Sequence, residues 1–300
     1  MTIKDISIIG LGSMGTPIAT SLLKAGYQLK GFDIAKKKMS SLAPLGLKPN
    51  ESLRETVSGA DLIILSLPNW EVVHEVVEGE KGILWALKKG QIIIDTSTVP
   101  PWETECMGRR LLKKGIEWMD VPISGAASEA EEGNLVFMVG GKRSAFNRIK
   151  PVLDRVGKKT VYVGKNGQAA MLKLIVNHTL FLNQAAAVEG LTLSLKAGLN
   201  PEVVFDVMIS GAARSDLIAS RGQDMLMGNF GAKGALAIAV KDIEICIENA
   251  KRLGVAVPMG VLYQQFLLSA YRKGWEQMDA TIVMRIYEEL SGIRKGISKI

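Results

Sequence analysis

The chain is poor in the residues that build metal centres and disulfide frameworks. Its 300 residues include only two histidines and two cysteines, Cys106 and Cys246, which lie 140 positions apart in unrelated contexts. Neither pair fits a metal-ligand spacing, so no metal site is expected. Without a disulfide framework, a reducing, cytoplasmic setting is expected. No uninterrupted apolar run approaches the ~18 residues of a membrane-spanning helix, so no membrane partner is expected. Asp5 interrupts the first apolar stretch, which argues against a signal peptide. Aromatic residues make up only 6% of the chain. A net charge of +7 raises the question of nucleic acid, but the basic residues are scattered and the longest run is Lys36-Lys37-Lys38. With no accompanying motif, this reads as a basic solvated surface that attracts small anions, not nucleic acid.

What is present is an ordinary globular composition, 47% apolar and 22% charged. A chain of this length predicts two domains and buries enough apolar surface to need no covalent staple. The first half alternates short apolar runs (Ile6–Ile9, Leu29–Phe32, Leu62–Leu65, Ile92–Ile94, Ile116–Met119, Leu135–Val139, Val161–Val163) with helical patterns. Those helical patterns cover Met14–Ala25, Ser52–Ser58, Glu71–Val77, Glu103–Lys114 and Ser144–Val156. Such alternation predicts an α/β fold, a doubly wound and mostly parallel sheet with helices on both faces. After Gly164 the strand signals stop. From Gln168 to Lys196 there is no proline and one glycine, and the run is apolar on nearly every face, which predicts a long buried helix. Helical patterns follow over Pro201–Ile209, Asp216–Met227, Ala235–Leu253, Val257–Arg272 and Ala280–Leu290. The expected domains are therefore residues 1–163, carrying the sheet, and residues 164–300, all-α and opened by a long interdomain helix.

The first strand runs into Gly10-Leu11-Gly12-Ser13-Met14-Gly15. This G-x-G-x-x-G between strand and helix is the phosphate-binding turn of dinucleotide-binding, Rossmann-type folds. Gly10 permits the turn, Gly12 lets a pyrophosphate approach the backbone, and Gly15 lets helix and strand pack closely. Asp33 ends the second strand eighteen residues beyond Gly15, where an acid hydrogen-bonds the adenosine ribose. Its carboxylate favours NAD over the 2′-phosphate of NADP, although Lys36 to Lys38 offset that charge and NADP stays open. In the long apolar helix, Lys173, Asn177 and Gln184 fall within roughly 40° of one another at helical spacing. From the helix alone, this polar stripe is either an interhelix hydrogen-bond network or the wall of a site.

Three further segments join the glycine loop. They are Asp120-Val121-Pro122-Ile123-Ser124-Gly125-Ala126 with Gly133-Asn134-Leu135 and Met138-Val139-Gly140-Gly141; Gly164-Lys165-Asn166-Gly167 with Lys173 and Asn177; and Lys241-Asp242. In this order the four motifs resemble the β-hydroxyacid dehydrogenase family, which includes 3-hydroxyisobutyrate dehydrogenases and glyoxylate/succinic semialdehyde reductases. The resemblance implies an NAD(P)-dependent oxidoreductase that moves hydride between nicotinamide and a small β-hydroxyacid, or reduces the matching aldehyde acid. It implies that Lys173 is catalytic, that Ser124, Gly125, Ala126 and Asn177 bind substrate, and that Leu67, Pro68, Thr98 and Lys241 join the glycine loop at the cofactor. It also implies a homodimer or homotetramer. A lysine desolvated in an apolar helix suits acid–base work. Ala126, Ala169 and Val176 depart from the family's pattern, and so the resemblance does not extend to one substrate. An imine reductase on the same architecture is an alternative, which usually lacks this lysine; a catalytically silent dinucleotide-binding module is another. Arg214 lies in an interhelical loop, either gripping an acidic substrate or solvated. His74 reads as a helix-surface residue, His178 as a packing one, and Met208, Met225 and Met227 as core.

Overall fold

Strands that are apolar without alternation belong in a sheet covered on both faces, and the computed structural model places them there. It describes residues 3–231 and 233–293. The strands are β1 (Asp5–Ile9), β2 (Gln28–Phe32), β3 (Lys48–Pro49), β4 (Leu62–Leu65), β5 (Ile92–Asp95), β6 (Glu117–Asp120), β7 (Ile123–Ser124), β8 (Leu135–Gly140) and β9 (Gly157–Gly164). They form one sheet in the order β3-β2-β1-β4-β5-β6-β8-β7, with β9 paired to β8. The first six strands pair in parallel, β8 runs antiparallel to β6 and β7, and β9 is parallel to β8. From β1 the chain winds outward through β2 and β3, then returns to add β4 on the other side. The strand order therefore reverses at β1/β4.

The helices α1 (Gly15–Lys24), α2 (Lys36–Leu42), α3 (Leu53–Val57), α4 (Trp70–Glu78), α5 (Pro101–Leu112), α6 (Ala127–Glu131) and α7 (Arg143–Leu153) connect these strands. Ser52 and Asn69 cap α3 and α4 through hydrogen bonds from Glu55 N–H and Val72 N–H. Gly26 ends α1 at φ +86°, a left-handed position that glycine takes at no steric cost. Two apolar cores result. One includes Ile8, Ile64 and Phe137, the other Ile63, Ile93 and Trp118. The short strands β3 and β7 and the short helix α6 carry too few residues to show a period, and their sequence gives no distinct signal.

The remaining helices are α8 (Gln168–Lys196), α9 (Pro201–Ser210), α10 (Asp216–Met227), α11 (Leu236–Leu253), α12 (Pro258–Arg272) and α13 (Met284–Leu290). They build a third core around Val188, Leu191, Ile243 and Leu267. The chain divides into two compact units between Lys173 and Leu174, inside α8. The first turn of α8 is hydrogen-bonded to β6, which draws it into the first unit. Two expectations need correction. The pattern over Ala280–Leu290 is not one helix: a 3₁₀ turn at Ala280–Val283 precedes α13, tightened by the Asp279 side chain, which accepts bonds from Thr281 N–H and Oγ1–H. Met225 is buried and Met208 packs against the core, but Met227 is 70% exposed at the last position of α10.

Ile64 is 1% exposed in the central strand β4. Ile64→Ala is expected to cost about 2–5 kcal/mol through lost burial and the residual cavity. Chemical denaturation should show a lower midpoint with an unchanged slope.

Candidate active site

The glycine loop sits at the carboxyl end of β1, beside the point where strand order reverses, where α/β sheets take their ligands. Each glycine answers a separate constraint. Gly10 has φ +93°, and a Cβ on it would lie 2.2 Å from the Ser66 carbonyl oxygen. A Cβ on Gly15 would lie 2.0 Å from the Gly10 carbonyl oxygen, so this glycine lets α1 pack against the turn. A Cβ on Gly12 would meet nothing within 4 Å, which leaves the backbone there open to an approaching group. α1 begins without a side-chain cap or an acidic residue in its first turn, so its free N–H groups are available to an anion. These residues fit the pyrophosphate of a dinucleotide. Leu11 is buried, Met14 packs on the core and Ser13 is exposed.

Asp33 is 8% exposed and braces this loop. Its Oδ2 accepts from Leu11 N–H at 2.7 Å and its Oδ1 from Ala35 N–H at 2.8 Å. Lys38 Nζ lies 3.4 Å from Oδ2, so one lysine of the basic run pairs with the carboxylate. The loops after β4 and β5 share the same end of the sheet. Leu67 N–H donates to Ser97 Oγ at 3.0 Å, and Ser97 N–H donates to Asp95 Oδ1 at 2.9 Å. Pro68 is exposed and Thr98 half-buried beside them. The structure thus gathers Gly10 to Gly15, Asp33, Leu67, Pro68 and Thr98 at one edge.

Ser124 ends β7 and is half-buried, and Gly125 follows at φ +133°. A Cβ there would press on Leu135 Cδ2 at 2.9 Å. Ala126 N–H donates to the carboxylate of Glu129 in the next short helix. Asp120, the first residue of the same segment, is 1% exposed and turned inward. Its Oδ1 accepts from Gly167 N–H at 3.1 Å and its Oδ2 from Ala170 N–H at 2.9 Å, so it caps α8. Burial pushes its carboxyl above the usual range, against the opposing pull of those N–H groups. Lys173, half-buried, lies one helical turn beyond Ala170.

In the second unit, Asn177 is 5% exposed and its Nδ2 donates to Asp242 Oδ2 at 2.7 Å. Lys241 Nζ lies 3.0 Å from Asp242 Oδ1. One buried carboxylate therefore joins Asn177 and Lys241 and fixes the Asn177 amide through its Nδ2. Gln184, the third member of the stripe, is 2% exposed with no bond to its Nε2 among the described residues. Arg214 is exposed, His74 is exposed beside Glu78, and His178 is half-buried with its pKa lowered by burial. The sequence reading missed two roles. Asp242 stands among Ala239, Ile243, Cys246 and Ile247 on the buried face of α11, and an acid at a core position is a legible signal. The capping role of Asp120 left no local signal, because its partners are 47 and 50 residues away.

A family model described as the NAD binding domain of 6-phosphogluconate dehydrogenase matches residues 5–164, and one described as NAD-binding of NADP-dependent 3-hydroxyisobutyrate dehydrogenase matches residues 167–287. The 2-(hydroxymethyl)glutarate dehydrogenase of Eubacterium barkeri is 32% identical over 289 residues, covering 96% of each chain. The crystal structure of a 3-hydroxyisobutyrate dehydrogenase from Salmonella typhimurium is similar with a TM-score of 0.87 at 28% identity, over 94% of this chain and 99% of that one. An imine reductase from Myxococcus stipitatus shares the fold alone, with a TM-score of 0.66 at 17% identity over 96% and 100% of the two chains.

Gly12 and Gly15 separate binding from folding. Gly12→Ala should leave the thermal midpoint within about 2 °C of wild type yet weaken NADH binding by tenfold or more, about 1.4 kcal/mol, read by cofactor fluorescence. Gly15→Ala should lower the midpoint itself, because its Cβ meets backbone.

Proposed function

The chain belongs to the β-hydroxyacid dehydrogenase family, and on that premise we propose that it is the dehydrogenase of a small β-hydroxyacid, or the reductase of the matching aldehyde acid, with Lys173 as its proton-transfer group. Its cofactor class is NAD(P). The observation that carries the reading is a dinucleotide loop with an open approach at Gly12, in a chain that keeps Lys173 and Asn177 one turn apart on α8. Gly10 to Gly15 and the α1 N-terminus hold the pyrophosphate, Asp33 the adenosine ribose, and Leu67, Pro68, Thr98 and Lys241 complete the cofactor's surroundings. When bound, the nicotinamide supplies the hydride acceptor or donor.

The protein's own residues manage the proton and the orientation. Lys173 Nζ takes the hydroxyl proton as the alcohol is oxidised and returns it to the oxygen in the reverse direction. The Asn177 carbonyl, fixed by the bond from its Nδ2 to Asp242, accepts a hydrogen bond from the substrate hydroxyl or the lysine. Ser124 Oγ and the N–H of Gly125 hold the acid end of the substrate, and Ala126, whose own N–H is bonded to the Glu129 carboxylate, lines the same turn. The Asp33 carboxylate repels a 2′-phosphate, so NAD is the preferred cofactor, and Lys38 limits that preference by pairing with it. Imine reduction is not favoured, since Lys173 serves an alcohol–carbonyl couple. A silent binding module has no use for the lysine and asparagine together.

The same proposal includes self-association and residence in the cytoplasm. No helix among the described residues is long and apolar enough to cross a membrane. Most of the exposed large apolar side chains belong to the helical unit, among them Leu193 (71%), Val207 (64%), Val203 (59%) and Met259 (58%). Apolar surface on that scale is covered by a second copy of the chain.

Lys173→Ala should lower kcat by roughly 10²–10⁴ while leaving NADH affinity and the thermal midpoint near wild type. Lys173→Arg should not restore the rate, because a guanidinium stays protonated at working pH. Turnover above a third of wild type in Lys173→Ala, with a deuterium isotope effect showing hydride transfer to be rate-limiting, would refute the assignment. For assembly, light scattering at micromolar concentration should give a dimer or tetramer mass; a monomer mass would refute self-association.

A further inference from the structure

The first four N–H groups of a helix lack intrahelical partners, and a local Ser, Thr, Asp or Asn usually serves them. α8 has no such cap, because the residue before Gln168 is Gly167. A carboxylate from another strand serves instead. Asp120 Oδ1 accepts from Gly167 N–H, Oδ2 accepts from Ala170 N–H, and Asn166 Nδ2 donates to Trp118 O at 2.7 Å while lying 3.5 Å from Asp120 Oδ1. The carboxylate occupies the space beside Gly140, where a Cβ would lie 2.5 Å from Oδ1, so the absence of a side chain at 140 leaves it room. The start of α8 is thus fixed to β6 at three adjacent points inside the protein.

We propose that Asp120 is the positioning residue for Lys173, acting through the first turn of α8. From Ala170 to Lys173 is about one turn of a rigid rod at 1.5 Å per residue, so the bond at Ala170 sets where the lysine's Cα stands. Four residues past Asp120 on the same segment is Ser124, proposed above to hold the substrate. One carboxylate therefore references the group that holds the substrate and the group that transfers its proton to the same strand end. A displacement on the order of 1 Å in such a pair costs about 10² in rate. This inference rests on the assignment of Lys173 above.

The test uses the full-length enzyme with NADH bound and compares Asp120→Asn with Thr104→Val. Thr104 Oγ1 accepts from Trp118 Nε1 at 2.7 Å, so its loss loosens the same region without touching α8. Asp120→Asn keeps the shape but places an amide among N–H donors. It should lower kcat at least tenfold, with the substrate KM within threefold and the NADH dissociation constant within twofold of wild type. Backbone amide exchange at Gly167 to Lys173 should accelerate tenfold or more. Thr104→Val should lower the thermal midpoint and leave kcat within twofold. Should Asp120→Asn fail to fold, Asn166→Ala loosens the same attachment and should lower kcat about threefold with the same exchange signature. The proposal is overturned if kcat stays within twofold in the folded Asp120 or Asn166 variant, or if Thr104→Val loses as much rate at an equal loss of thermal midpoint. It is also overturned, together with the assignment it rests on, if Lys173→Ala turns over like wild type. A dead Lys173→Ala beside an active Asp120→Asn overturns the positioning role alone.

Discussion

A carboxylate taken almost completely out of water holds the start of the longest helix to the end of a central strand. Leaving an ion such as Asp120 buried is costly unless its lone pairs are met. Here they meet the unpartnered N–H groups of α8, whose partial positive charge suits an anion. Each side satisfies what the other would otherwise leave exposed to an apolar interior. Neither the helix start nor the acid is stable there alone. Lys173 and the Ser124 turn take their places from this one junction.

The dinucleotide end of the sheet depends on a different constraint, the absence of side chains. Gly10 and Gly15 are required because backbone oxygens occupy the space a Cβ would fill, while Gly12 borders open space. Packing demands the outer two and approach demands the middle one, and that division separates a phosphate turn from an ordinary tight turn. Asp33 joins the two requirements. It accepts the Leu11 N–H, which shapes the loop, and it brings a negative charge to the same end of the sheet.

Unit 2 uses polar atoms sparingly and apolar ones without economy. Two of its buried carboxylates join distant segments: Asp242 accepts from Asn177 and is ion-paired with Lys241, and Asp279 meets Arg221, Thr281 and the backbone of residues 233 and 234. The first pair fixes the orientation of an amide, the second the loop between α10 and α11. Outside that core, α8 and α9 still show Leu193, Val203 and Val207 to solvent. A helix apolar on nearly every face cannot bury all of itself in one small bundle.

The sequence by itself determined the parts whose cause is local. Unbroken apolar runs such as Leu62 to Leu65 became central parallel strands, G-x-G-x-x-G before a helix became a tight glycine turn at the end of β1, and Gly26 closed α1, because period, flanking residue and φ preference lie within a few positions of one another. Tertiary structure alone decided what spans long stretches of chain. Asp120 opened one of the family's motif segments with no role of its own and proved to be a helix cap 50 residues from its partner. Asp242 read as half of a cofactor-side pair and proved also to hold Asn177, 65 residues away. The exposure of Met227 and the 3₁₀ turn ahead of α13 were likewise set by packing and by the side chain of Asp279. Local patterns record which conformation a segment prefers. Which buried acid meets which free N–H is settled only when the folded chain excludes water from both.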